Sequence, residues 1–181
     1  MPSFRAHVRL AAAALAALLA LGAGDVVAQS VLRVRAFSDL RVAAHTGTET
    51  EPEGGHLIGD GLCVQGNYLT SGSVLPAMRD AFLASAGTAF ELRLLAAVVG
   101  ARDAGGDKSG ARSAAMKVFG TGRFPRTDLR VDWQVAPGCD SVDALAELVA
   151  LWQPLIPFYE RRPHDPTLGG WEDRLARGGM A

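Results

Sequence analysis

Cysteine is scarce in this chain. It has two, Cys63 and Cys139, too few for a disulfide framework or a four-thiolate zinc site. Cys63 sits in a short apolar run and reads as a small core residue, and Cys139 sits in a Pro-Gly loop. Charge of one sign is not in excess either: 18 Lys and Arg stand against 19 Asp and Glu, a formal net charge of −1. Without a basic surplus or a block of like charges, no nucleic-acid partner is expected. Aromatic residues make up 7%. There is no G-x-S-x-G, which excludes the serine-hydrolase nucleophile elbow. The apolar run from Leu10 to Ala23 is too short to span a bilayer as a helix, so no stable membrane anchor is expected.

What remains is the composition of an ordinary globular domain. The chain has 181 residues, 49% of them hydrophobic and 20% charged, enough for one domain with a real core. Its 21 glycines imply many tight turns. Residues 1–28 begin with Arg5 and Arg9, continue into the apolar run and end on Val26 and Ala28. That is the layout of a secretory leader cut before Gln29, which would make the protein periplasmic or secreted. The alternative is an Ala/Leu-rich helix of the domain, in a cytoplasmic protein. The division read from the chain is a leader at 1–28, a domain at 29–160 and a tail at 161–181.

Beyond residue 29, V-L-R-V-R-A-F and L-R-V-A-A-H alternate around Ser38-Asp39, which predicts a hairpin. T-E-T-E-P-E-G-G-H reads as a polar loop, and L-C-V-Q at 62–65 as a buried strand. A helix is predicted from Ser73, with Leu75, Met78 and Phe82 on one side. A second is predicted from Thr88, whose Thr-x-x-Glu with Glu91 is a capping box, and Gly100 is predicted to end it. Strands follow at S-A-A-M-K-V-F and D-L-R-V-D-W, the latter placing Leu129, Val131 and Trp133 on one face. A last helix runs from Ser141 to Gln153, where Pro154 stops it. Hairpins, helices and strands in this order predict an α+β fold.

Five polar or patterned clusters in fixed order carry a resemblance: H-T-G (45–47), V-Q-G-N (64–67), L-R-L-L-A-A (92–97), A-G-G-D…S-A-A (104–115) and D-L-R-V-D (128–132). Together they resemble the bacterial family called domain of unknown function 1028, over residues 31–160. That family is grouped with the N-terminal nucleophile hydrolases. The resemblance implies an αββα sandwich, here partial, because only the C-terminal portion has counterparts and the opening strands do not. It also implies amide-bond chemistry, in which an N-terminal Thr, Ser or Cys attacks a carbonyl and its own amino group serves as base. The chain opens M-P-S-F, so that nucleophile is absent and the protein is expected to be inactive as given. Thr50, Glu53, Ser109, Arg112, Trp133 and Gln134 replace residues of the family pattern.

The candidate pocket is His45, Thr46, Gly47, Gln65, Gly66, Asn67, Gly106, Asp107 and Ser113. His45 either orients substrate or bonds a neighbouring carbonyl. Asn67 is either an oxyanion or substrate amide or a turn residue bonded to its own backbone. Gly105 and Gly106 either allow close approach of a ligand or simply form a loop. Arg130 between Asp128 and Asp132 reads as a structural ion ladder. His45 and His56 with Glu49, Glu51 or Glu53 match no zinc spacing, so neither metal nor cofactor is expected. The expected partner is a small amide or peptide-like substrate, and an unpaired sheet edge would favour a homodimer. The other reading is a non-catalytic exported binding or subunit protein.

Overall fold

The computed structural model describes residues 33–36, 42–120, 124–134 and 136–170, with only the backbone at 33–36. The segment 1–28 read as a leader, the predicted Ser38-Asp39 turn and the tail beyond residue 170 lie outside the described residues. The fold is mixed helix and sheet, as the element pattern predicted. Strands β1 (Arg33–Ala36), β2 (Gly55–Gly59) and β3 (Leu62–Gly66) form an antiparallel sheet in the order β1-β3-β2. Helices α1 (Val74–Ala84) and α2 (Phe90–Asp103) follow. The hairpin of β4 (Ala114–Phe119) and β5 (Pro125–Val131) forms a second sheet. Helix α3 (Ser141–Trp152), a 3-10 turn at Gln153–Leu155, α4 (Ile156–Arg161) and two further 3-10 turns at Arg162–His164 and Pro166–Leu168 complete the described elements. No helix among the described residues is long and apolar enough to cross a membrane.

The first sheet departs from the predicted pairing. Val42–His45 form no strand, and β1 pairs with β3 instead. Leu62, Cys63 and Val64 are all buried, so β3 is the element that gains most from a partner on each side, whereas A-A-H-T-G is poor in strand formers. Its second partner, β2, begins inside what read as a polar loop, at Gly55 and His56, and runs on to Gly59. Asp60-Gly61 turns the chain between paired Gly59 and Leu62, with Gly61 at φ +63°, a conformation open to glycine at no steric cost.

The core is one cluster. Leu62, Val64 and Leu69 meet Val74, Leu75, Met78 and Phe82 of α1, Leu94, Ala97 and Ala101 of α2, Met116, Val118 and Val131 of the second sheet, and Leu145 and Val149 of α3. Leu75, Met78 and Phe82 therefore occupy the predicted face. Gly100 does not end α2. It lies inside the helix where α1 crosses closest: a Cβ there would stand 2.7 Å from Ala81 Cβ and 3.0 Å from the Ala77 carbonyl oxygen. Gly100→Ala improves helix propensity by about 1 kcal/mol, but backbone cannot yield as a side chain does. A net loss of about 1–3 kcal/mol is expected. Urea unfolding of the variant checks it; a gain in stability would mean the helices can separate freely.

Helix α2 also starts differently from its sequence signature. It begins at Phe90 after Ala89, with no side-chain cap, and the Thr88 hydroxyl donates to the Ser85 carbonyl at 2.8 Å. Glu91 is turned inward, 2% exposed. It accepts from Arg126 Nε at 2.9 Å, Arg126 Nη2 at 3.1 Å and Thr127 Oγ1 at 2.9 Å. A two-pronged guanidinium bond to a buried carboxylate outweighs one exposed capping bond. Burial pulls the Arg126 guanidinium down, but the hydrogen bonds and charges of Glu91 and Glu160 outweigh it and hold it above its ordinary value.

On β5 the inward residues are Thr127, Leu129 and Val131. Trp133 lies past the strand end and is exposed, at φ +52°. The ladder is divided: Arg130 pairs with Asp132 at 2.7 Å, while Asp128 pairs with Lys117 across the strands at 3.0 Å. At the end of α3, Pro154 does not stop the helical path. It enters at the start of the 3-10 turn, where its missing N–H costs nothing, and α4 follows. Asp140 caps α3, accepting from Val142 N at 2.7 Å. Cys63 is buried and Cys139 exposed.

Candidate functional site

Two motifs about forty residues apart in the chain meet at one end of the first sheet. Past β3, Leu69 forms a bridge with Asp107. Thr70 N donates to the Gly106 carbonyl at 3.1 Å, and Lys108 N donates to the Tyr68 carbonyl at 2.9 Å. The segment Asn67–Thr70 is thereby laced to Gly106–Lys108. Local chemistry allows it. Helix α2 ends with Gly105 N on the Arg102 carbonyl and Gly106 N on the Ala101 carbonyl, and both glycines have positive φ. A Cβ on Gly105 would run into the Thr70 hydroxyl. Tyr68 itself is left-handed, at φ +60°, which a bulky residue holds only when its surroundings impose it.

Beside this junction lies a polar pair. Thr46 Oγ1 and His56 Nδ1 are 2.5 Å apart. His56 stands opposite Gln65 in the β2–β3 register, two residues before Asn67. Asn67 Oδ1 is buried without a hydrogen-bond partner and faces Gly54, where a Cβ would stand 2.7 Å from it. Lys108 Nζ reaches Glu51 Oε2 at 3.4 Å and lies 5.2 Å from the centre of the Tyr68 ring.

The structure thus brings Thr46, Gln65, Gly66, Asn67, Gly106 and Asp107 to one place, and adds His56, Tyr68 and Lys108. His45 and Gly47 are exposed, while Thr46 between them is half-buried. His45 ends no strand, and the inward group of that segment is the threonine. Asp107 behaves as a loop residue, with Oδ1 accepting from Ser109 N at 2.6 Å. Ser113 is elsewhere: its Oγ accepts from Trp133 N at 3.1 Å, at the base of the second sheet. Among the described residues no group of three or more His, Cys, Asp or Glu side chains is arranged to hold a metal.

Sequence reasoning missed His56 as a partner of Thr46. The signal was present in the Asp60-Gly61 turn, which would have folded H-L-I-G onto L-C-V-Q as a hairpin. Lys108 had no signal, because its partners Glu51 and Tyr68 are remote in sequence.

Comparison with known proteins supplies the relationship. The family profile described as "Family of unknown function (DUF1028)" matches residues 7–140. The chain belongs to this family. Among solved structures it is similar to the DUF1028 protein SPO2555 from Silicibacter pomeroyi, with 36% sequence identity and a TM-score of 0.51. The alignment covers 60% of this chain and 46% of that one, so the chain spans about half the length of that DUF1028 relative. No curated protein matches the chain. The DUF1028 match takes in every residue of the sheet-end cluster. It also starts before the apolar run and stops at Asp140, where α3 begins.

Proposed function

We propose that this DUF1028 chain is the substrate-holding part of a domain related to N-terminal nucleophile amide-bond hydrolases, and that it binds a small amide without cleaving it. The observation that carries this reading is the junction of Asn67–Thr70 with Gly106–Lys108 beside the Thr46–His56 pair. Motifs separated in the chain converge there on groups that match an amide. Asn67 Oδ1 is an acceptor without a partner, and such a group is costly unless something satisfies it. The Thr46 hydroxyl and His56 imidazole both donate and accept.

A hydroxyl beside an imidazole also resembles an activated nucleophile. A working relay needs a third group to orient the imidazole. Among the described residues no carboxylate bonds His56. This favours a binding role for Thr46 over attack on a carbonyl.

The test is titration of the full chain with N-acetylglycinamide, followed by amide NMR and by mass analysis of the ligand. Saturable shifts at Asn67, Gly106 and Lys108 are expected, with the ligand intact. Asn67→Ala and Thr46→Val should each weaken binding by about tenfold, roughly one lost hydrogen bond to a buried group. Shifts that do not saturate, or that survive both substitutions, would remove the site. Cleavage of the ligand by the chain would overturn the non-catalytic half of the reading.

A further inference from the structure

We propose that Arg112 and Trp133 form a second binding site, for the carboxylate of a small acid with a flat apolar body. The site is independent of the sheet-end cluster and stands whether or not that cluster binds an amide. Trp133 is 67% exposed and its backbone is left-handed at φ +52°. An indole normally pays for an unfavourable backbone by burial, and here there is no such burial. Instead the ring is held out by cross-ties between two strand ends. Trp133 N donates to Ser113 Oγ at 3.1 Å, and Gln134 N donates to the Arg112 carbonyl at 2.6 Å. These bonds fix Arg112 beside Trp133, with the guanidinium carbon 5.9 Å from the ring centre.

Arg112 has no carboxylate partner among the described residues. The carboxylates on the flanking segments are engaged elsewhere: Asp107 with Ser109 N, Asp132 with Arg130, and Asp140 with the first turn of α3. Arg112 also lines an open groove of about 300 Å³, together with Ser109, Gly110, Gln134 and Cys139 among others; Trp133 does not line it but directly precedes Gln134, which does. A guanidinium fork recognises a carboxylate with two parallel hydrogen bonds, and the adjacent indole face covers a planar group attached to it. Ser109 and Gln134 supply further polar contacts along the groove.

The probe is hippurate, with hippuramide as its neutral counterpart, added to the full chain and followed at the Trp133 indole N–H by NMR and by calorimetry. Saturable binding of hippurate is expected, with hippuramide weaker by about tenfold or more. Arg112→Gln should weaken hippurate by at least about tenfold while leaving the fold intact, since the side chain is exposed. Trp133→Gly separates function from folding: glycine suits this φ, so the variant should unfold at no lower temperature than the parent yet lose hippurate. The proposal fails if the indole signal does not saturate by about 10 mM, if hippuramide binds equally well, or if Arg112→Gln binds as tightly as the parent.

Discussion

Arg126→Met is expected to cost about 3–5 kcal/mol of folding free energy, because it leaves the Glu91 carboxylate buried without its counter-charge. Glu91 is 2% exposed and takes both prongs of the guanidinium. The remaining donor, Thr127 Oγ1, which itself accepts from the Trp152 indole N–H, is neutral and cannot replace the lost counter-charge. Glu160, also released by the substitution, is 47% exposed, and water replaces its partner at little cost. The double variant Glu91→Leu with Arg126→Met should recover to within about 1–2 kcal/mol of the parent, since it removes both charges together and leaves neither buried alone. Urea denaturation of the three proteins at constant slope measures this. If Arg126→Met lay within about 1 kcal/mol of the parent, water would have to reach Glu91 in the folded state.

That ion pair shows which part of the fold the chain disclosed in advance. Local patterns were legible where the local and global preferences agree. Leu75, Met78 and Phe82 repeat at helical spacing because one face of α1 is buried, and L-C-V is apolar because β3 is the central strand. Thr88-x-x-Glu91 misled because the glutamate could serve either a local cap or a distant partner, and the winning one is Arg126, 35 residues away. Pro154 misled because a proline is compatible with the first turn of a new helix as well as with the end of an old one. Trp133 followed the alternation of β5 in sequence, but the strand ends at Val131 and the backbone turns left-handed.

The site was legible in the same partial way. Glycine and asparagine marked both halves of the sheet-end junction, since only small residues tolerate the turns and close approach found there. Which residue of H-T-G points inward follows the period-two pattern even though the segment joins no ladder: Val42, Ala44 and Thr46 are half-buried, while Ala43, His45 and Gly47 are exposed. The pairing of Ser113 with Trp133 was hidden, because it joins two strand ends through one hydroxyl.

Leu69→Ala should open the site as well as weaken the fold, and this distinguishes it from other core truncations. Leu69 is fully buried, and its methyl groups occupy the space that a Cβ on Gly66 would need, at 2.8 and 3.1 Å. Its backbone forms the bridge to Asp107. Truncation is expected to cost about 2–5 kcal/mol, as it is for Met78→Ala in the centre of α1. The two differ in what opens. The amides of Thr70 and Lys108 belong to exposed residues on the junction, where exchange proceeds through local opening at a free energy below the global one. Met78→Ala lowers the global value and should leave those two exchange rates nearly unchanged while the fold stays above that local threshold. Leu69→Ala removes the anchor of the local unit and should accelerate both amides by tenfold or more, about 1.4 kcal/mol of local stability. Equal acceleration by both variants would mean that the junction has no stability of its own and is held only by the core beneath it.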